Sequence, residues 1–404
     1  MVVIVEVIMN GISTRFLRAS LFVVILGGIN FCMAAKPKVK VQGVKKVAVA
    51  KVPAVKAPVV QAPQILDVSG LLIQEVAKGN SCSLEKVKEF IKGGADVNAK
   101  DEKDGATALM VASFFSNSEV VKELLRVSPS CVNITDENGS TALLYALYQR
   151  VVISGQDTNK IMETVKELIK AGADVNVKDE KNGVTALMLA SLFGYSEVAK
   201  ELVMVSTSGV NIKDKNGSTA LLYALHESSG QDTSKIMETV KTLVQAGADV
   251  NSENASGHTP LILGCISPVI MKYLIDNKAN VNAQNKYGKT VLIHGGYIAL
   301  NTIRLLNDPK HPFFSKPENQ EAKNRLLKQV QDNVLEFIAI LINAGADVTL
   351  KDNNGVDALM IAKECDVQEF MWALQGSRGG LFGPLYSSMA WAKVKLGFNK
   401  KSSN

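Results

Sequence analysis

The chain has 404 residues, a length that suits two or three domains of roughly 100–200 residues each. Its 47% hydrophobic and 21% charged residues are ordinary for a globular protein and exclude a wholly disordered chain, a multi-span membrane protein and a histone-like polycation. The net charge of +6 is unevenly placed: +1 over residues 1–35, +7 over 36–64 and +5 over 376–404 leave −7 for the body, 65–375. An acidic body therefore stands between basic ends.

At the N-terminus, Arg15 and Arg18 precede an apolar run from Ala19 to Phe31 that ends in Cys32-Met33-Ala34-Ala35. A basic start, a short apolar stretch and small residues at its exit predict a secretory signal peptide over 1–35, cleaved after Ala34 or Ala35. The run is too short to span a bilayer as a helix. Residues 1–8 fit no such leader, and Met9 is the expected start. The flank after the apolar run is more basic than the one before it, which would hold an uncleaved segment's flank in the cytoplasm. Export to the periplasm, the cell envelope or the medium is the expectation. Residues 36–64 follow with seven Lys, no acid and Pro37, Pro53, Pro58 and Pro63, the composition of an extended linker. Its charge suits weak contact with an anionic membrane or envelope. No aromatic residue interleaves the lysines, so nucleic-acid binding is not expected.

From residue 101 one phrase recurs. It reads DEKDGATALMVAS from Asp101, DENGSTALLYAL from Asp136, DEKNGVTALMLAS from Asp179 and DKNGSTALLYAL from Asp214, with weaker copies around Gly257, Gly288 and Gly355. The glycines 105, 139, 183, 217, 257, 288 and 355 are spaced by 34, 44, 34, 40, 31 and 67. A second phrase closes most units, as in GGADVNAK at 93–100 and AGADVNVK at 171–178. Residues 138–147 and 216–225 are identical, and 155–166 matches 230–241 but for one position, which marks a duplicated two-repeat block. The extra length falls near 148–159, 226–234 and 307–331. The last stretch, with Phe313-Phe314 among three prolines, predicts a loop that either buries its aromatics or offers them.

The physics of each unit is that of a helix pair. Thr107 can cap a first helix whose Ala and Leu residues give a narrow packing face. In Glu119–Leu125 the apolar residues recur at helical spacing for a second helix, with Leu124 as its core candidate and Leu202 as that of the later copy. Asn138-Gly139 and Asn216-Gly217 are tight-turn pairs, Gly172 and Gly247 stop second helices, and Ser267-Pro268 starts one early. No unit buries its apolar face alone, but stacked neighbours do.

These phrases resemble the ankyrin repeat, a hairpin finger plus two helices per unit. The resemblance covers about residues 65–375 and implies an all-α repeat solenoid of about seven units with a capping unit at each end. The TPLH-like phrase lacks the family's His at its fourth position in every copy, so that hydrogen bond is absent or replaced.

The sequence shows no HExxH, no CxxC and no phosphate-binding glycine loop. His226, His258, His294 and His311 read as surface or packing residues. Cys82, Cys131, Cys265 and Cys365 are even in number, as two disulfides would need, but scattered over different units, which favours free thiols. The Asn-x-Ser/Thr sites at Asn133, Asn138, Asn216 and Asn254 read as turns before glycan acceptors. No enzyme activity, cofactor or metal is expected. What the resemblance implies instead is a protein-binding scaffold, expected to be monomeric. Exported proteins of this kind are familiar from host-associated bacteria, where some act on host proteins.

Carried over residue by residue, the finger positions are Asp101, Glu102, Lys103, Asp136, Glu137, Asp179, Glu180, Lys181, Asp214, Lys215, Glu253 and Lys286. The groove positions late in the first helices are Phe114, Phe115, Tyr148, Leu192, Phe193, His226 and Glu227. Acidic tips beside an aromatic stripe suit a partner of basic and apolar character, although one Phe of each pair is also a core candidate. The rival reading is an envelope-tethered structural protein held by its basic ends. In the tail, 376–404, Leu385, Met389, Ala392 and Leu396 share a helical face near Trp391. Such a stripe over 385–398 suits a helix docked on the last repeat or one lying on an anionic bilayer, and at about three turns it is also short enough to stay disordered alone in water.

Overall fold

In the computed structural model the described residues are 67–148, 158–226, 233–365, 371 and 374. The expected leader, linker and tail, Glu227 and most of two insertions lie outside them. The chain begins with the pair α1 (Val68–Val76) and α2 (Leu84–Lys92), which lacks the opening phrase, as expected of a capping unit. Glu75 closes this pair: its buried carboxylate accepts the Ser83 backbone N–H at 3.1 Å and meets the Lys78 ammonium at 2.5 Å.

Six further pairs follow: α3 (Ala108–Phe114) with α4 (Ser118–Val127), α5 (Ala142–Tyr148) with α6 (Thr158–Lys170), and α7 (Ala186–Phe193) with α8 (Ser196–Val205). Then come α9 (Ala220–Ala224) with α10 (Thr233–Gln245), α11 (Pro260–Leu263) with α12 (Pro268–Asp276), and α13 (Val291–Asn307) with α14 (Gln320–Asn343). The first helix of a last unit, α15 (Ala358–Cys365), ends the continuous stretch. First helices pack on first helices and second on second, so each unit's apolar face is covered by the next. Leu109, Leu124, Leu143, Leu168, Leu221 and Leu243 are almost without exposure along this continuous core.

The caps form as the sequence dictates. Thr107, Thr185, Thr259 and Thr290 each accept the backbone N–H three residues on, between 3.3 and 3.4 Å. Ser267 caps α12, with Pro268 in its first turn. The missing His is replaced in two copies by a thioether: Met110 Sδ accepts the Thr107 N–H at 3.4 Å and Met188 Sδ the Thr185 N–H at 3.5 Å. In the copy with Leu144 at that place, the Thr141 hydroxyl is buried without a partner.

An asparagine ladder joins the loops after the second helices. The amides of Asn133, Asn211, Asn251 and Asn282 donate to the carbonyls of Gly172, Gly247, Lys278 and Gly345, between 2.9 and 3.2 Å. Their Oδ1 atoms accept the N–H groups of Asp174, Asp249, Asn280 and Asp347 at 2.7–2.8 Å. Each rung needs a left-handed residue after the helix. Gly172, Gly247 and Gly345 provide it at φ 87, 91 and 84°, but Lys278 is held at φ 72° against its Cβ. Lys278→Gly is therefore expected to raise stability by about 1 kcal/mol, measured as a higher midpoint in urea.

The expectation of a loop over 307–331 is corrected. α13 runs to Asn307 and α14 already begins at Gln320, so both helices of this unit are extended and the loop shrinks to 308–319, which keeps the three prolines and Phe313-Phe314. The polar helix formers of Gln320–Lys328 continue the apolar spacing of the second helix backward through Leu326 and Val330. Leu306, Phe314 and Leu326 are buried where the extended helices pair. His311 Nδ1 accepts the N–H groups of Phe313 and Phe314 at 3.2 and 3.1 Å, which turns Phe314 inward and leaves Phe313 half-buried. Gly295 and Gly296 sit mid-helix in α13 for close packing. A methyl at Gly295 would overlap the Phe337 ring of α14, and one at Gly296 would lie 3.2 Å from Ile361 of α15.

Cys82, Cys131, Cys265 and Cys365 form no disulfide with one another, and burial pushes the thiols of Cys131 and Cys365 up to about 11. Among the described residues no helix is long and apolar enough to cross a membrane.

Candidate protein-binding groove

Each finger closes on itself through a backbone bond across the turn, such as Asp136 N–H to the Ser140 carbonyl at 3.0 Å. Fingers are then tied to one another. The N–H groups of Glu137, Glu180, Lys215, Ala255, Lys286 and Asn353 donate to carbonyls of the preceding finger at 2.6–3.1 Å. The glycine before each such contact lets the next finger approach. A methyl on Gly105 would meet Glu137 Cγ at 3.1 Å, and one on Gly139 would meet Glu180 Cγ at 2.6 Å. The stems of these glutamates thus lie on the previous finger and their carboxylates stay in water.

Glu102, Glu137 and Glu180 are exposed, as expected of tips, and so are Lys103, Lys181, Lys215, Glu253 and Lys286. Asp101 is half-buried, and Asp136, Asp179 and Asp214 are buried at 7, 4 and 9% exposure. These three are corrected from tip residues to turn anchors. Oδ1 of each accepts two backbone N–H groups of its own turn: Asn138 and Ser140, Asn182 and Val184, Asn216 and Ser218, at 2.7–3.1 Å. Asp101, Asn254, Asn285 and Asp352 do the same in the other fingers. The second carboxylate oxygen looks to the helices. Tyr145 and Tyr223 donate to Asp136 and Asp214 of their own units at 2.9 and 2.8 Å, and Tyr148 to Asp179 of the next at 3.2 Å. Burial, then the neighbouring carboxylate, pushes all three phenols well above the usual tyrosine range.

These bonds fix which helix positions face the fingers: the fourth and seventh residues after the capping position. Tyr148 and Leu192 occupy the seventh, as do Phe114 and the exposed His226; Phe115 and Phe193 follow directly. Phe114, Phe115, Tyr148, Leu192 and Phe193 are all half-buried. Phe115 packs edge-on to Phe114, with ring centroids 5.2 Å apart. Its ring also lies where a side chain on Gly79 would stand, 2.7 Å from that Cβ position, so it helps seat the N-terminal cap on the array. Phe193 leans on Tyr195 at 6.0 Å. Glu227 lies outside the described residues.

The sequence reading missed His258, His294 and Lys289 as groove residues. His294 stands four residues after Thr290, where Tyr145 and Tyr223 stand after Thr141 and Thr219, and that register was the available signal. The His258 and His294 rings are 5.8 Å apart, and the Lys289 ammonium lies 4.1 Å from the centre of the Tyr297 ring. Among the described residues no cluster of three His, Cys, Asp or Glu side chains could hold a metal ion.

Stacked helix pairs, left-handed finger glycines and a finger-to-finger ladder define a repeat array of the ankyrin type. Three copies of the ankyrin-repeats family model match residues 73–154, 153–236 and 231–311, so the chain belongs to the ankyrin-repeat family, whose repeats bind proteins. It is similar to putative palmitoyltransferase ZDHHC13 of Danio rerio, 28% identical over 209 residues that cover 45% of this chain and 30% of that one. It is also similar to NF-kappa-B inhibitor zeta of Homo sapiens, 34% identical over 113 residues, 27% of this chain and 15% of that one. The chain thus spans less than a third of the length of these curated relatives. Among solved structures, it resembles a chain of the Bdellovibrio bacteriovorus predatory endopeptidase Bd0816 in complex with immunity protein Bd3460. That match is 27% identical, covers 51% of this chain and 97% of the other, and has a TM-score of 0.42. The ankyrin repeat domain of Bcl-3 matches at 22% identity and a TM-score of 0.45, covering 66% of this chain and 99% of that one.

Proposed function

We propose that the chain is an exported, non-catalytic scaffold that binds a partner protein in the groove between its fingers and its first helices. The supporting observation is the pairing of the exposed Glu102, Glu137 and Glu180 tips with the half-buried row Phe114, Tyr148 and Leu192. Carboxylates in water steer a basic partner, and the row beneath supplies apolar area to bury. A host protein is one such partner. The basic stretches 36–64 and 376–404 favour a second reading, an envelope-tethered interaction protein held by those ends. Fractionation separates the two: a free effector stays soluble at low and high salt, whereas a tethered protein leaves the envelope only at high salt.

Glu102→Lys, Glu137→Lys and Glu180→Lys combined are expected to cut partner capture from host and envelope lysates at least tenfold, because rim charges control encounter and specificity. The circular dichroism spectrum should be unchanged, since all three carboxylates are solvated. Capture that survives the triple reversal removes the acidic tips from the site. Phe115→Ser with Phe193→Ser is the companion test: loss of capture with the helices intact assigns those rings to the partner, and melting assigns them to the core.

A further inference from the structure

The groove changes character along its length. At the residue that anchors each finger, Asp101, Asp136, Asp179 and Asp214 give way to Asn254 and Asn285 before Asp352 restores the carboxylate. The two asparagines keep the turn, each accepting its two backbone N–H groups at 3.0 Å. They do not keep the charge. Nine residues after Asp136 and Asp214 stand the tyrosines that donate to them; nine residues after Asn285 stands His294. In that unit the Asn285 side-chain Nδ2 is buried without a hydrogen-bond partner. Two carboxylates are therefore missing where Lys289 and the two imidazoles gather.

Those groups act on one another. His258 feels His226 and Lys289, and His294 feels His258 and Lys289. Burial first, then these neighbours, lowers His258 and pushes His294 down to about 4. Of the anchoring carboxylates on either side, Asp352 is already engaged by the N–H groups of Asn354 and Val356 at 2.9 and 3.0 Å and by the Tyr297 hydroxyl at 3.4 Å, and Asp214 by the N–H groups of Asn216 and Ser218 and by the Tyr223 hydroxyl. Farther along, Glu364 pairs with Arg304 at 2.8 Å. The cluster thus has an ammonium, imidazole donors and a deficit of negative charge in the part of the groove that faces the fingers.

We propose that His258, His294 and Lys289 form the docking point for an aspartate or glutamate side chain of the bound protein. Lys289 supplies the charge and the imidazoles supply N–H donors. The assignment rests on the protein-binding reading above and adds polarity to it: the partner lies with its basic side on the fingers from Glu102 to Glu180 and its acidic side at His258–His294. A carboxylate held there favours the protonated imidazoles, so both rings titrate higher in the complex and binding draws protons in as pH falls toward their midpoints.

The test uses the full chain and a capped tetraglutamate peptide at low salt, with capped tetralysine as the control. Imidazole signals are followed by NMR between pH 3 and 8. The expected result is a saturable shift of His258 and His294, with midpoints about one unit higher in tetraglutamate, which equals about tenfold tighter binding to the protonated form. Lys289→Ala should weaken peptide binding at least tenfold. His294→Gln should keep binding at pH 8 and remove the low-pH proton uptake that His294 supplies, leaving the His258 shift. Unmoved midpoints, or equal shifts in Lys289→Ala, overturn the inference. The two readings also fail separately. A tetraglutamate effect with no captured protein defeats the proposed function and upholds the carboxylate chemistry of this site. A captured protein that neither variant weakens overturns the docking point alone.

Discussion

Replacing Leu124 by alanine lowers the stability of the array by about 2–5 kcal/mol, the range for deleting a large aliphatic side chain from a packed interior. Leu124 has no exposure, and it lies on α4 beside Val120, Val121 and Leu125, all buried. Its helix packs on both α2 and α6, so a cavity there loosens two inter-unit contacts and not one. In a linear array, stability is the sum of unit and nearest-neighbour terms. The loss therefore falls on the junction between the N-terminal cap and the first full repeats. Leu202, at 2% exposure in the duplicated block, should respond in the same range. Val127→Ala is the control: at 40% exposure the side chain is largely in water, and its loss should shift stability by no more than about 0.5 kcal/mol. Urea melts followed by circular dichroism decide the matter. An unchanged midpoint in Leu124→Ala would mean that the face assigned to the second helices is wrong.

Much of the array is legible in the chain because its local signals agree. The capping threonines, the apolar spacing of Glu119–Leu125 and the stop glycines each specify one feature, and all of them repeat. The elements that were not legible depend on neighbours. Period counting treats every residue beyond about 33 as loop, so it hid the extended helices α13 and α14, although the composition of Gln320–Lys328 is that of a helix. Gly295 and Gly296 read as weak points of a helix until Phe337 and Ile361 are seen against them. His294 reads as a lone histidine until it is aligned with Tyr145 and Tyr223. The exposed glutamates were legible as tips because nothing in the unit needs their carboxylates. The aspartates beside them were misread for the opposite reason: acidity suggests solvent, yet a short carboxylate is also the group that best satisfies the N–H donors of a tight turn.

Asp136 makes that distinction measurable. Asp136→Ala is expected to cost about 3 kcal/mol, because the Asn138 and Ser140 N–H groups and the Tyr145 hydroxyl all lose their acceptor in a buried site, at about 1–3 kcal/mol for each unsatisfied group, reduced by relaxation and water entry. Asp136→Asn keeps Oδ1 for both N–H groups, as Asn254 and Asn285 do in their fingers at 3.0 Å. The Tyr145 hydroxyl can then turn and accept from the new amide, so this variant is expected to stay within about 1 kcal/mol of the parent. A surface aspartate would show neither effect, since removing a solvated carboxylate shifts stability by no more than about 0.5 kcal/mol. The pair of variants therefore separates an anchor from a tip by their difference in urea midpoint, without any partner. Equal stability of the alanine and asparagine variants would return Asp136 to the surface of the finger. A large gap between them places the residue inside the turn, and leaves Glu137, whose carboxylate is free in water one residue later, as the acidic group a partner meets.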